Sequence, residues 1–148
     1  MNDLSKLRNV ATVVLRLTLA LSFLSAVADR FGFWGPPGSP NVAWGTFDSF
    51  LEYTGILLWF LPPTAVNLCG WIATVIEIVL GIGLLSGFYL RWFALGSALL
   101  LLTFAVSMTA ALGVEPAFSY SVWTASSSAF LLATLADTVP SKNTADNQ

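Results

Sequence analysis

The sequence predicts an all-α integral membrane four-helix bundle with a long aromatic outer loop, and three observations lead there. Hydrophobic residues make up 56% of the 148 positions and charged residues 9%, with a mean hydropathy of +0.77, whereas a soluble domain carries about 25% charged residues. Four apolar windows have the length of a bilayer-crossing helix, which needs about 20 residues. In one of those windows the few polar and small residues recur at intervals of three and four, which places them on a single helical face.

The first span is expected at 10–28. It ends in "SAVA", Ser25 to Ala28, the small-residue pattern of a signal-peptide cleavage site, but Arg16 sits badly in the apolar region of such a peptide. The helix is therefore expected to be retained. The segment from Asp29 to Pro63 holds Phe31, Phe33, Trp34, Trp44, Phe47, Phe50, Tyr53, Trp59 and Phe60, which is no composition for a solvated loop. Glycine and proline punctuate its first half as irregular turns. In its second half Phe47, Phe50, Leu51, Thr54, Leu57, Leu58 and Leu61 fall at helical spacing, predicting a short amphipathic interfacial helix at about 47–61. This aromatic segment reads either as an anchoring belt or as the lid of an outward-facing cavity.

The second span is expected at 64–86, started by Pro62 and Pro63, since proline is tolerated at a first helical position. The tight turn "GFYLR", Gly87 to Arg91, makes the third span, 90–112, its antiparallel neighbour. "GVEPAFS", Gly113 to Ser119, links it to the fourth, 120–137, with Pro116 preventing a continuous helix. Residues 1–139 thus form one transmembrane domain and 140–148 a polar tail. Lys6, Arg8, Arg91 and Lys142 fall on one side of this arrangement and Arg30 alone on the other. By the positive-inside rule both termini are cytoplasmic.

The composition also excludes chemistry. With no histidine and a single cysteine, Cys69, the chain has no zinc ligand set and no His-based nucleophile system, and no metal site is expected. A net charge of -2 without a basic cluster gives no purchase on phosphate backbones, so no nucleic-acid partner is expected. The lipid bilayer is the one partner the composition names.

On the second span Asn67, Gly70, Thr74, Glu77 and Gly81 are spaced 3, 4, 3 and 4 and must look inward, because an unpaired Glu77 facing hydrocarbon costs about 2.5 to 3.5 kcal/mol. Leu68, Ile72, Val75, Val79 and Ile82 take the opposite, lipid-facing side. Counted along the helices, Arg16 lies about 9 Å from the Val10 end of the first span and Glu77 about 15 Å from Gly87. One answer for Glu77 is an ion pair with Arg16; the other is a carboxyl that stays protonated in its dry setting. Thr18, Ser22, Ser25 and Asp29 on the first span and Ser121, Thr124, Ser127 and Ser128 on the fourth either bond to their own backbone or line a cavity over Glu77. The candidate ligand-binding or proton-relay residues are Glu77, Arg16, Asn67, Thr74, Asp29, Arg30, Trp44 and Tyr53. No catalytic residue is assigned.

An arginine in the first span followed by Glu77, Gly81, Gly83, Gly87 and Arg91, in the order E-x-x-x-G-x-G-x-x-x-G-x-x-x-R, resembles the DoxX family of small bacterial four-helix membrane proteins. The segments "DRFGFWG", "VAWGTF", "FLEYT" and "FLPP" resemble a subset of that family with a long first outer loop. The resemblance covers about residues 10–136. It implies a multi-pass protein of the bacterial cytoplasmic membrane, associated in some relatives with quinone-linked redox complexes and in more distant ones with assembly or cargo binding. At Asp29 and Arg30 the chain departs from the glycine and lysine pattern that often ends the family's first helix.

Two functions follow. One is a redox-associated subunit that holds a quinone or similar apolar ligand in an intrabundle cavity and draws electrons from a redox partner subunit. The other is a non-enzymatic membrane scaffold, assembly factor or lipid-binding protein. No cofactor other than a quinone is implied, and whether the chain is an enzyme stays open. A homodimer is a further expected arrangement, packing through the glycine-rich second span or the third span around Gly96.

Overall fold

A computed structural model describes residues 2–136 and is all-helical throughout them apart from turns and loops, with no strand among the described residues. The expected tail at 140–148 and Lys142 lie outside that range. Six helices follow in order: α1 (Asn2–Arg30), α2 (Phe47–Leu57), α3 (Pro63–Ser86), α4 (Leu90–Leu112), α5 (Val114–Ser119) and α6 (Val122–Ala136). Of these, α1, α3 and α4 are long and apolar enough to cross a membrane, whereas α6 is a shorter apolar helix of 15 residues, about 22 Å long.

The helix α1 starts eight positions before its expected span (10 against 2). Hydropathy detects only the part that suits hydrocarbon, and the Lys6 and Arg8 turns continue the helix beyond it. A break between α4 and the next helix falls at Gly113, with φ 91°, rather than at Pro116, which sits inside α5. Proline is harmless in a first turn, where its missing N–H has no helical acceptor. The expected linker 113–119 is therefore largely helical, and Ser121, at φ 57°, separates α5 from α6.

Packing follows the small residues. α1 lies against α3 and α6, and α4 against α3 and α6. Their shared core is Leu19, Ala20 and Phe23 from α1, Leu80 and Leu84 from α3, Ala94 and Ala98 from α4, and Ala129, Leu132 and Ala133 from α6. Alanine and glycine let helices approach closely, which is how helices associate where lipid supplies no hydrophobic drive between them. On α3, Leu68, Ile72, Val75, Val79 and Ile82 are all exposed, and Gly70, Thr74, Glu77 and Gly81 are buried. That division is what the spacing of polar and small residues requires.

The loop from α1 to α2 folds back on its own helix. The side chain of Asp29 accepts hydrogen bonds from the backbone N–H groups of Ala43 (3.1 Å) and Trp44 (2.8 Å), and Trp34 Nε1 donates to the Ser25 carbonyl at 3.1 Å. Gly45, at φ +70°, lies so near the Pro36–Pro37 peptide that a Cβ would come within 2.5 Å of Pro37 N. Only glycine fits both conditions. Thr46 then caps α2 by accepting from Ser49 N–H at 3.3 Å. The helix α2 packs on α3, where Gly70 leaves room for Phe50 and Leu51. With α2 and this loop at one end, the molecule has a cap end and an amino-terminal end.

Candidate functional site

The charged side chain that meets Glu77 is Arg30, not Arg16. Arg30 Nη1 donates to Glu77 Oε2, and Nη2 donates to Oε1 at 3.0 Å, a two-pronged guanidinium–carboxylate contact. Nη1 also donates to Thr74 Oγ1 at 2.9 Å, and that hydroxyl in turn donates to the Gly70 carbonyl at 2.9 Å. Both residues are only 2% exposed. Above the fork, the guanidinium carbon lies 3.8 Å from the centre of the Phe50 ring and 5.3 Å from that of Trp44. A cation over a ring face gains more as it loses its water, about 2 kcal/mol or more when desolvated.

The geometry of α1 against α3 explains the choice of arginine. Gly81 faces Ala20 and Leu24, and Gly87 faces Arg16, so the helices are antiparallel. Arg16 is therefore level with the very end of α3, about ten residues or 15 Å from the level of Glu77. Val10 and Gly87, the ends from which the two depths are counted, are not level. Side-chain direction adds to this, because Cα–Cβ bonds tilt toward a helix's own N-terminus. On antiparallel helices Arg16 leans away from Glu77, while Arg30 leans down from the cap end toward a Glu77 that leans up to it.

Asp29, next to Arg30, is also buried, but its carboxylate serves the loop. Its bonds to Ala43 and Trp44 N–H hold the Trp44 ring over the guanidinium. Tyr53, on α2, stands with its ring 6.3 Å from Trp44. Burial pushes its phenol above the ordinary value of 10.0, and the neighbouring Tyr120 adds to the shift. Phe31, Phe47 and Trp71 complete the packing, with Phe47 4.2 Å from Trp71 and 5.8 Å from Phe31 between ring centres. The aromatic segment thus divides in two. Trp44 and Phe50 close over the ion pair with Phe47 and Tyr53 packed beside them, and Phe33, Trp34, Trp59 and Phe60 remain exposed as a rim.

Of the expected site residues, the structure gathers Glu77, Arg30, Thr74, Asp29, Trp44 and Tyr53, and it leaves out Arg16 and Asn67. Asn67 is exposed and lines a separate groove of about 450 Å³ with Asp48 and Glu52 of α2. Val66 takes the inward position at that level, where α2 rather than α1 faces α3. Neither this groove nor a second cavity at the amino-terminal end includes Glu77 in its lining. Thr18, Ser22 and Ser127 bond to carbonyls of their own helices, and the buried hydroxyl of α6 is Ser126, which donates across to the Ala98 carbonyl of α4 at 3.0 Å.

Phe50 is the participant that sequence reasoning did not single out. Its signal was its place on the apolar stripe of the interfacial helix, a stripe that turns onto Arg30 and Gly70. The result is a dry network in which both carboxylate oxygens of Glu77 are occupied from within the chain, so moving a proton through Glu77 requires the fork to open. Comparison of the chain with protein-family models, with curated proteins and with solved structures finds no match in any of the three.

Proposed function

We propose that the chain is a DoxX-like multi-pass protein of the bacterial cytoplasmic membrane that acts as a non-catalytic scaffold. In this reading α1, α3, α4 and α6 form a four-span bundle with both termini in the cytoplasm, and α2 with the aromatic loop forms a rigid outer platform. The observation that carries it is the two-pronged pairing of Arg30 with both carboxylate oxygens of Glu77. Arg30 and Glu77, two of the charged candidates for ligand or proton work, are engaged in tying α1, α2 and α3 together.

The positions shared with the DoxX pattern support the same reading. Gly81 accepts Leu24 and the Ala20 backbone, Gly83 accepts the Phe93 ring and Gly87 accepts Arg16, so each acts in helix packing. The exposed rim of Phe33, Trp34, Trp59 and Phe60 suits a platform seated at the membrane interface and offers a partner subunit rigid aromatic anchors.

A quinone titration separates this reading from a redox subunit. Protein in nanodiscs is titrated with ubiquinone and menaquinone analogues while tryptophan fluorescence is followed, Trp44 lying beside the buried pair. The scaffold reading expects only the linear quenching of quinone dissolved in lipid, with no difference for Glu77→Gln. Saturable quenching at one quinone per chain, abolished by Glu77→Gln in a folded variant, overturns it. Purification from native membranes is expected to retain a partner protein in fixed ratio, and Trp59→Asp with Phe60→Asp to release it.

A further inference from the structure

The amino-terminal end of the molecule holds a second polar arrangement, remote from Arg30 and Glu77, whose charged lining among the described residues is basic. A cavity of about 820 Å³ opens there between α1, the α3–α4 turn and the start of α4. Arg16 and Arg91 both line it, and no acidic residue does among the described residues. Arg16 is half-buried, its Nε is buried without a hydrogen-bond partner, and no carboxylate pairs with it among the described residues. Its guanidinium lies against the turn, since a Cβ on Gly87 would collide with Arg16 Nη1. Left-handed conformations at Gly87 (φ 74°) and Tyr89 (φ 48°) give that turn its shape. A half-buried guanidinium with no carboxylate partner among the described residues, and a second arginine lining the same cavity, form a setting suited to an anion.

The surroundings indicate the source of that anion. Val13 and Leu17 on α1 and Phe88, Tyr89 and Trp92 at the turn are all exposed, so the cavity opens beside apolar surface. Tyrosine and tryptophan favour the depth of lipid headgroups, and basic pockets between transmembrane helices suit anionic headgroups. We propose that this cavity binds the phosphate of an anionic phospholipid, with Arg16 and Arg91 as its guanidinium ligands and the acyl chains lying along the apolar flank. Arginine suits a phosphodiester because its fork offers two parallel donors. The assignment stands on the opposite end of the molecule from the ion pair and does not depend on the scaffold reading.

The test uses the full chain in nanodiscs of phosphatidylcholine alone or mixed with phosphatidylglycerol, with retained lipids counted by native mass spectrometry. Wild type is expected to retain phosphatidylglycerol in preference, and Arg16→Gln and Arg91→Gln each to reduce that preference about fivefold. Arg16→Lys should keep part of it. Lys6→Gln removes the same charge outside the cavity and should leave it unchanged. Arg91 is exposed, so its variant keeps the test valid if Arg16→Gln fails to fold. Inorganic phosphate alone is expected not to raise the melting temperature. Equal retention by wild type and both glutamine variants overturns the proposal, as does saturable stabilisation by inorganic phosphate without any lipid preference.

Discussion

Replacing Arg30 by methionine isolates what the buried pair contributes. The change removes both prongs of the fork to Glu77, the bond to Thr74 and the cation over Phe50 and Trp44, and it leaves a carboxylate that is 2% exposed without a counter-ion. Breaking a buried pair from one side costs about 3 to 5 kcal/mol, so Arg30→Met is expected to lose that much. Glu77→Leu strands the guanidinium instead, and its loss should fall at the lower end of the same range, because the Phe50 and Thr74 contacts survive. The double variant leaves no stranded charge, and exchange of a buried pair for apolar residues is often near neutral. Its loss should fall short of the sum of the single losses by at least about 3 kcal/mol. Reversible unfolding in mixed micelles by dodecyl sulfate titration, followed by circular dichroism and tryptophan fluorescence, measures each. Arg16→Met serves as the control, since Arg16 is level with Gly87 rather than Glu77, and it should add to Glu77→Leu without coupling. Single losses below about 1 kcal/mol, or strict additivity in the double variant, would refute the reasoning.

Three further outcomes follow from the same contacts. Phe50→Leu keeps an apolar side chain but removes the ring under the guanidinium, so it should cost about 1 to 2 kcal/mol in the same titration, and most of that loss should disappear in the Arg30→Met background. Gly83→Ala drives a methyl into the Phe93 ring and should cost about 1 to 3 kcal/mol, partly restored by Phe93→Leu. The phenol of Tyr53, raised above 10.0 by burial and then by Tyr120, favours the protonated form in the folded state. Its contribution is therefore complete below pH 10.0 and is lost as pH rises through the raised value; phenolate absorbance should show a late-titrating tyrosine that Tyr53→Phe removes, together with part of the alkaline loss of stability.

Much of α3 could be read directly from its residues. A carboxylate, a threonine and two glycines at intervals of three and four have to share a face, and five large aliphatic residues occupy the other, because a helix repeats every 3.6 residues and hydrocarbon rejects charge. The start of α3 at a proline pair and the aromatic segment's departure from a solvated loop were legible for equally local reasons. The break at Gly113 was not, since both glycine and proline in that stretch are able to interrupt a helix, and the conformation of the chain selects between them.

Composition and periodicity by themselves determined that this is a helical membrane protein, which side of α3 is exposed, and that residue 77 needs shelter within the fold. Tertiary structure alone decided which arginine gives that shelter. Depth along a helix is a one-dimensional quantity that places two candidate cations within reach, and the offset between helices is set by side chains that interlock, Leu24 against Gly81 and Arg16 against Gly87. With that offset, the tilt of Cβ atoms on antiparallel helices points Arg30 and Glu77 at one another and turns Arg16 toward the opposite end of the molecule.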